Sequence, residues 1–382
     1  MLESTEQNWL KRFKMVVMDV PSFALFEGLL RPDVIPSFIF HKVDEVEFEE
    51  ALIYLRDNRY RTLSIGEYHE HLTGKKTNTD RKVILTFDDG ARNNWSVAYP
   101  ILKKLGMKAV FYVNAGIVPE EGVAPTLEDV RAGKISQEEL DALEERSPFF
   151  SWREARKMEA SGLINIESHG WKHRICFISD RIIDFQRPDS KGRPVYSWLF
   201  TALDTEPSTP LWGAPVYPYK PRLAARRFLD DVGLRAACMD YVRINGEKNF
   251  FAEKTWHLKL SNFVREYKRH HGIKTRFEDR NERRSAVWDS LADSKEMIEE
   301  RLGKKCEHFA YPWNVSGRLS LLFLQKLGFK TVFRSMSGWR MPRPGVNPHD
   351  LSRVEGYWIK SLPGKGRVSV WRKLGKRVLR ER

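Results

Sequence analysis

KVILTFDDGARNNW (82–95) decides the reading of this chain. The apolar run Val83–Leu85 has the length and β-branched content of a buried strand. It ends abruptly in Asp88-Asp89-Gly90. Two adjacent carboxylates raise each other's pKa and repel, so their place at the end of a buried strand calls for a use.

Working outward, apolar strands alternate with helical patterns. A strand is expected over 36–43 (PSFIFHKV), then a helix, a short extended piece and a second helix over 46–74. After the strand 83–87, NWSVAYPILKKLGM (94–107) has helical apolar spacing and AVFYVNA (109–115) reads as a strand. Residues 151–162 read as a helix that Ser151 can cap and Gly162 can stop, followed by the strand LINIESHG (163–170). The order resumes with helix 291–303, strand 306–313, helix 318–328, strand 329–334 and an extended piece over 350–359. Strands alternating with helices imply parallel βα units, and such folds carry their chemistry at the strand C-termini. Asp88, Asp89, His169 and the turn Tyr311-Pro312-Trp313 all fall there.

Between 174 and 290 the alternation breaks down. Proline clusters (EPSTPLWGAPVYPYKP, 206–221) and basic helical pieces (NFVREYKRHHGIK, 262–274) mark an insertion. The expected organisation is an N-terminal extension 1–35, a barrel over 36–173 and 291–359, the insertion 174–290, and a basic tail 360–382.

Composition bounds the class. Of 382 residues, 41% are hydrophobic and 12% aromatic, which is globular rather than disordered. The formal net charge of +14 suits an anionic partner or surface, or equally a solvated basic face. No specific nucleic acid is expected, since charge alone suggests it and no recognised motif accompanies it. Cys176, Cys238 and Cys306 are odd in number and far apart, which fits a reducing compartment. The N-terminus lacks the apolar core of a signal peptide, and no run reaches the ~20 apolar residues of a membrane span. A soluble, cytoplasmic protein is expected. The tail GRVSVWRKLGKRVLRER (366–382) places Trp371, Leu374 and Val378 on one basic amphipathic face, so peripheral contact with an anionic membrane at the inner face and a frayed solvated tail are both open.

ESHGWKHR (167–174) adds the second half of the chemistry. His169 and His173 stand four apart just past a strand. Alone, such a pair is more often plain surface polarity. Joined to Asp-Asp at one strand end and a Pro-Trp turn at another, it matches two imidazoles plus one carboxylate with open positions, a catalytic metal geometry. One carboxylate can then bind the metal while its neighbour takes a proton from the metal-bound water, and the cation offsets their repulsion.

Thr86-Phe87-Asp88-Asp89-Gly90, Ser168-His169-x-x-x-His173 and Phe309-Ala310-Tyr311-Pro312-Trp313, in this order, resemble the polysaccharide deacetylase family (carbohydrate esterase family 4). Phe40-His41, the helix 97–106 and the strand 109–113 are also similar. The resemblance spans roughly 36–173 and 291–359. It implies an α/β fold, a distorted (β/α) barrel of fewer than eight regular strands, here with a large insertion. It further implies metal-dependent hydrolysis of an N-acyl, foremost N-acetyl, group on an amino sugar or glycan. By position, Asp88 would be the base, and Asp89, His169 and His173 the ligands of a divalent metal. Zinc is the leading expectation, with cobalt, nickel and manganese also suited to such donors. Metal-bound water would be the nucleophile, and the backbone around Tyr311, Pro312 and Trp313 would hold the substrate oxyanion.

Three departures bear on the roles. Ala310 stands where many members place an arginine that orients the base; Arg353 on the last strand is the candidate substitute, against the reading of a surface strand arginine. The usual C-terminal Leu-x-His that supplies the general acid is absent. Exopolysaccharide deacetylases that resemble a circular permutation place that histidine on the first strand, where His41 stands; a core histidine is the competing reading. Asn314 replaces the glycine that often closes the turn, a position Asn tolerates in left-handed geometry. In the insertion, Trp198, Trp212, Tyr217, Tyr219, Trp256, His270 and His271 are expected mostly to form a subdomain core rather than line a sugar groove.

Two other functions compete: an amidase or deformylase on a non-sugar or lipid-linked amide, and a non-catalytic carbohydrate-binding relative. A cytoplasmic sugar precursor or a lipid-phosphate-linked glycan would suit the charge and the tail.

Overall fold

The computed structural model describes residues 20–26, 30–76, 80–203 and 210–372. Seven parallel strands form its centre: β1 (Ser37–Phe40), β2 (Lys82–Phe87), β3 (Ala109–Val113), β4 (Ile164–Ser168), β5 (His308–Ala310), β6 (Thr331–Met336) and β7 (Leu351–Glu355). They run in the order β1-β7-β6-β5-β4-β3-β2, and β1 pairs again with β2, so the sheet closes on itself. A two-residue strand, Arg61–Thr62, adds to the start of β2. The fold is an α/β barrel of fewer than eight regular strands.

Alternation along the strands fills the barrel. Ile84, Val110, Tyr112, Ala310, Phe333 and Leu351 form one buried cluster. Helix Ile65–Leu72 contributes Ile65, Tyr68 and Leu72 to the same cluster, and Ser64 and Glu67 cap that helix reciprocally. The same two-residue period carries β2 from Ile84 through Thr86 to Asp88, and β7 from Leu351 to Arg353. Apolar side chains thus occupy the lower layers, and polar ones arrive at the C-terminal mouth.

The expected elements are present with shifted ends. Helix Trp152–Ala160 begins at Ser151, whose side chain accepts from Glu154 N–H, while Gly162 adopts φ +71°. The strand expected over 306–313 ends at Ala310, because Pro312 cannot donate to a ladder and Trp313 turns to φ +61°. The helix expected over 291–303 instead spans Arg280–Leu302. Its first turns are charged on most sides, which hid the helical period from the sequence.

The chain divides into two compact units, one of residues 1–172, 290–316 and 321–382 and one of 173–289 and 317–320. The second has its own core. Ile175, Phe177, Val216, Tyr217 and Phe228 form one cluster, and Trp212, Leu234, Cys238, Val242 and Leu260 another. Trp198 packs on the first and Trp256 on the second, whereas Tyr219, His270 and His271 are exposed. The three cysteines are free and buried. No helix among the described residues is long and apolar enough to cross a membrane. Leu374 and Val378 of the proposed amphipathic tail lie outside the described residues.

Candidate active site

Strand register assembles the site. Phe40 pairs with Phe87, so His41 and Asp88 leave neighbouring strands side by side, and Asp88 N–H donates to the Phe40 carbonyl at 2.9 Å. Val113 pairs with Ser168, so Asn114 stands next to His169. Phe309 pairs with Ser168, which carries the turn after β5 toward the same histidine.

His169 is buried, and its Nδ1–H donates to the Ala310 carbonyl at 2.8 Å. A carbonyl can only accept, so Nδ1 carries a proton and Nε2 is the ring nitrogen that faces the acids. Nε2 lies 3.5 Å from Asp89 Oδ1 and 3.8 Å from Asp88 Oδ2. His173 completes the group: one ligand atom from each of Asp89, His169 and His173 falls within 4.8 Å of the others. Asp89 at φ +72° and His173 at φ +50° both adopt left-handed backbone, which non-glycine residues rarely do. Asn114 Nδ2 donates to Asp89 Oδ1 at 3.3 Å.

Asp88 is gripped from the opposite side. Arg353 Nη1 and Nη2 donate to its two carboxylate oxygens at 2.6 and 2.7 Å. Arg353 Nη2 also donates to Asn314 Oδ1 at 2.9 Å, and Nη1 to Thr86 Oγ1 at 3.2 Å. Burial pushes the Asp88 carboxyl up, but the Arg353 guanidinium, by its charge and its hydrogen bonds, outweighs it together with smaller contributions from the neighbouring His169 and His41 and holds the pKa below the ordinary aspartate value. The surface alternative for Arg353 fails, since the residue is 1% exposed. The core alternative for His41 fails too, because His41 is exposed at the mouth of the barrel.

Tyr311 and Pro312 are buried, while Trp313 is 49% exposed. Trp313 and Asn314 both have positive φ, which bends the chain sharply enough for Asn314 to reach Arg353. The residues sequence reasoning passed over are largely asparagines. Asn94 Nδ2 donates to the His41 carbonyl at 2.7 Å, and Asn93 Oδ1 accepts from Val43 N–H at 2.7 Å, which ties down the loop bearing His41. Asn114 directly follows an apolar strand, the same signal that marked Asp88, and could have been found by it.

The donor set fits a divalent cation: two imidazoles and a carboxylate, with one imidazole already oriented by a backbone carbonyl. Fold and site together define a parallel α/β barrel with a two-histidine, one-carboxylate centre at its C-terminal mouth.

Residues 75–190 match the family model described as polysaccharide deacetylase. Over 91 residues the chain is 37% identical to YxkH of Bacillus subtilis, a protein named for the same family, covering 22% of this chain and 33% of that one. Over 132 residues it is 30% identical to the poly-beta-1,6-N-acetyl-D-glucosamine N-deacetylase of Escherichia coli K12, covering 35% of this chain and 18% of the relative. The chain therefore spans a third or less of the length of these relatives. Among solved structures, IcaB from Ammonifex degensii aligns with a TM-score of 0.46 at 19% identity, over 85% of this chain and 93% of the other. The BpsB deacetylase domain from Bordetella bronchiseptica aligns with a TM-score of 0.49 at 14% identity, over 85% and 96%. Residues 75–190 of the chain are thus similar to the polysaccharide deacetylase family.

Proposed function

We propose that this protein is a hydrolase that removes an N-acyl group, foremost N-acetyl, from an amino sugar of a glycan. The observation that carries the reading is the buried Arg353–Asp88 pair standing 3.8 Å from His169 of the Asp89–His169–His173 group. A carboxylate held at both oxygens by a guanidinium keeps its orientation and stays ionised. Each oxygen retains a lone pair with which to accept a proton.

A divalent cation held by Asp89, His169 and His173 would polarise the amide carbonyl and make water more acidic. Asp88 takes the proton of the attacking water as its oxygen bonds to the carbonyl carbon. The turn Tyr311-Pro312-Trp313 is tied to the site through Ala310 and Asn314, and its backbone around Trp313 would hold the carbonyl oxygen as that oxygen gains charge. His41, exposed beside Asp88, gives a proton to the amine as the carbon–nitrogen bond breaks. The products are a carboxylate and a free amino sugar.

The test is acetate release from N-acetylglucosamine oligomers by the protein loaded in turn with zinc, cobalt, nickel and manganese, beside N-formyl and non-sugar amides. Release from the sugars that Asp88→Asn abolishes supports the reading. Turnover of the non-sugar amides alone would replace it with an amidase. Glycan binding without turnover under any metal would leave a binding protein.

A further inference from the structure

The parallel ladder between β3 and β4 does not stop where the strands end. His169 N–H donates to the Val113 carbonyl at 2.8 Å, Ala115 N–H to the Gly170 carbonyl at 3.1 Å, and Gly116 N–H to the Trp171 carbonyl at 2.7 Å. The loop that carries the His-x-x-x-His motif is therefore stitched to the loop after β3. On this stitched pair the Trp171 indole lies flat against Gly116. A Cβ placed on Gly116 would fall 2.6 Å from both Cδ2 and Cε2 and 3.0 Å from Cζ2 of that ring. Real carbon contacts do not come so close, and a fused ring cannot fold away as the tip of a flexible chain does. The backbone of Gly116 does not enter the left-handed region, so space, not conformation, requires glycine here.

We propose that Gly116 and Trp171 form a clasp that positions His173 for the metal, which makes Gly116 a positioning residue outside every motif of the chain; the proposal rests on the metal-site reading above. Trp171 stands midway between His169 and His173. His169 is fixed on its own account by burial and by the Ala310 carbonyl. His173 lies two residues beyond the clasp and adopts φ +50°, a conformation that costs of order 1 kcal/mol and persists where surroundings impose it. The indole seated on Gly116 sets where the chain leaves the ladder, and so where the second imidazole arrives.

The test measures zinc affinity of the full chain by competition with a chromogenic chelator. Gly116→Ala and Trp171→Ala are each expected to weaken binding by about 10- to 100-fold, the usual effect of losing a support behind a ligand. Trp171→Phe, which keeps a flat ring over Gly116, is expected to stay near wild type. The double variant Gly116→Ala/Trp171→Ala is expected to be no worse than Trp171→Ala, because the methyl meets no ring there. That non-additivity separates a clasp from two unrelated defects. Trp171 is half-buried, so its variants keep the test open should Gly116→Ala fold poorly. His169→Ala serves as the control. If wild type binds no zinc, or His169→Ala binds it as well as wild type, the metal site falls and the clasp with it. If His169→Ala loses zinc while Gly116→Ala and Trp171→Ala keep wild-type affinity, the clasp alone is overturned.

Discussion

Both carboxylate oxygens of Asp88 are held by the guanidinium of Arg353, across a barrel in which the two residues are 265 positions apart in sequence and each 1% exposed. A buried ion pair contributes little net stability against an apolar replacement, because its desolvation offsets its attraction. Its retention at the mouth of a barrel, beside two histidines, therefore points to a use in orienting charge.

Arg353→Lys keeps one positive charge but loses the two-pronged grip. The expected result is a fall in kcat of about 100-fold, the scale of a slight misplacement of a reacting group, with metal content unchanged. Arg353→Ala leaves Asp88 charged and unpaired and is expected to destabilise the fold by about 3–5 kcal/mol. Acetate-release kinetics and denaturant unfolding read the two effects separately. Full activity in Arg353→Lys would falsify the orienting role.

Removing a ligand should remove the metal. His169→Ala and Asp89→Ala are each expected to come through purification with little bound metal by elemental analysis, whereas Asp88→Asn retains it. Zinc should also raise wild-type stability, by about 2.7 kcal/mol at 100 times its Kd, and leave His169→Ala unmoved. Equal zinc stabilisation of both proteins would place the ion elsewhere.

His41 stands exposed beside Asp88, positioned to protonate a departing amine. His41→Gln is expected to lower kcat for an N-acetyl amino sugar by about 100- to 10,000-fold, the range of general acid catalysis, with zinc affinity kept. An N-acetylated amine whose leaving group depends less on protonation, such as a nitroanilide, should lose less. A similar loss on both substrates would remove the acid role.

Away from the site, His308 offers a test of pH and stability. Burial is the main cause that lowers its pKa to about 3, with His69 and the ammonium groups of Lys304 and Lys330 acting in the same direction and Glu307 opposing. Its Nδ1 lies 2.8 Å from Thr331 Oγ1. The ordinary histidine value is ~6.5, so between there and about 3 the unfolded chain binds a proton that the folded chain refuses. Stability should therefore fall as pH drops through that window, by up to about 1.4 kcal/mol per pH unit from this residue. His308→Gln is expected to flatten that slope in urea unfolding from pH 6.5 to 4. An unchanged slope would assign the acid sensitivity to other groups.

Much of the site was legible before any fold was known. Asp88 and Asp89 announced themselves by interrupting an apolar run, and His169 and His173 by their spacing past another. The barrel strands showed the same way, as short apolar runs with abrupt polar ends. Helix Arg280–Leu302 was cut short in the sequence reading because its first turns carry charge on most sides. Asn93, Asn94 and Asn114 were passed over because a single amide in a loop looks like any turn residue until its partner is known.

Local composition thus determined which residues sit at strand ends, since period and polarity act over a few neighbours along the chain. Tertiary structure alone decided that Arg353 meets Asp88, that Nδ1 of His169 is satisfied by Ala310, and that the Trp171 indole rests on Gly116. These pairs are joined by the closure and register of the barrel. A hydrogen bond or a ring contact depends on distance in space, and no pattern along one strand records what stands on the strand across from it.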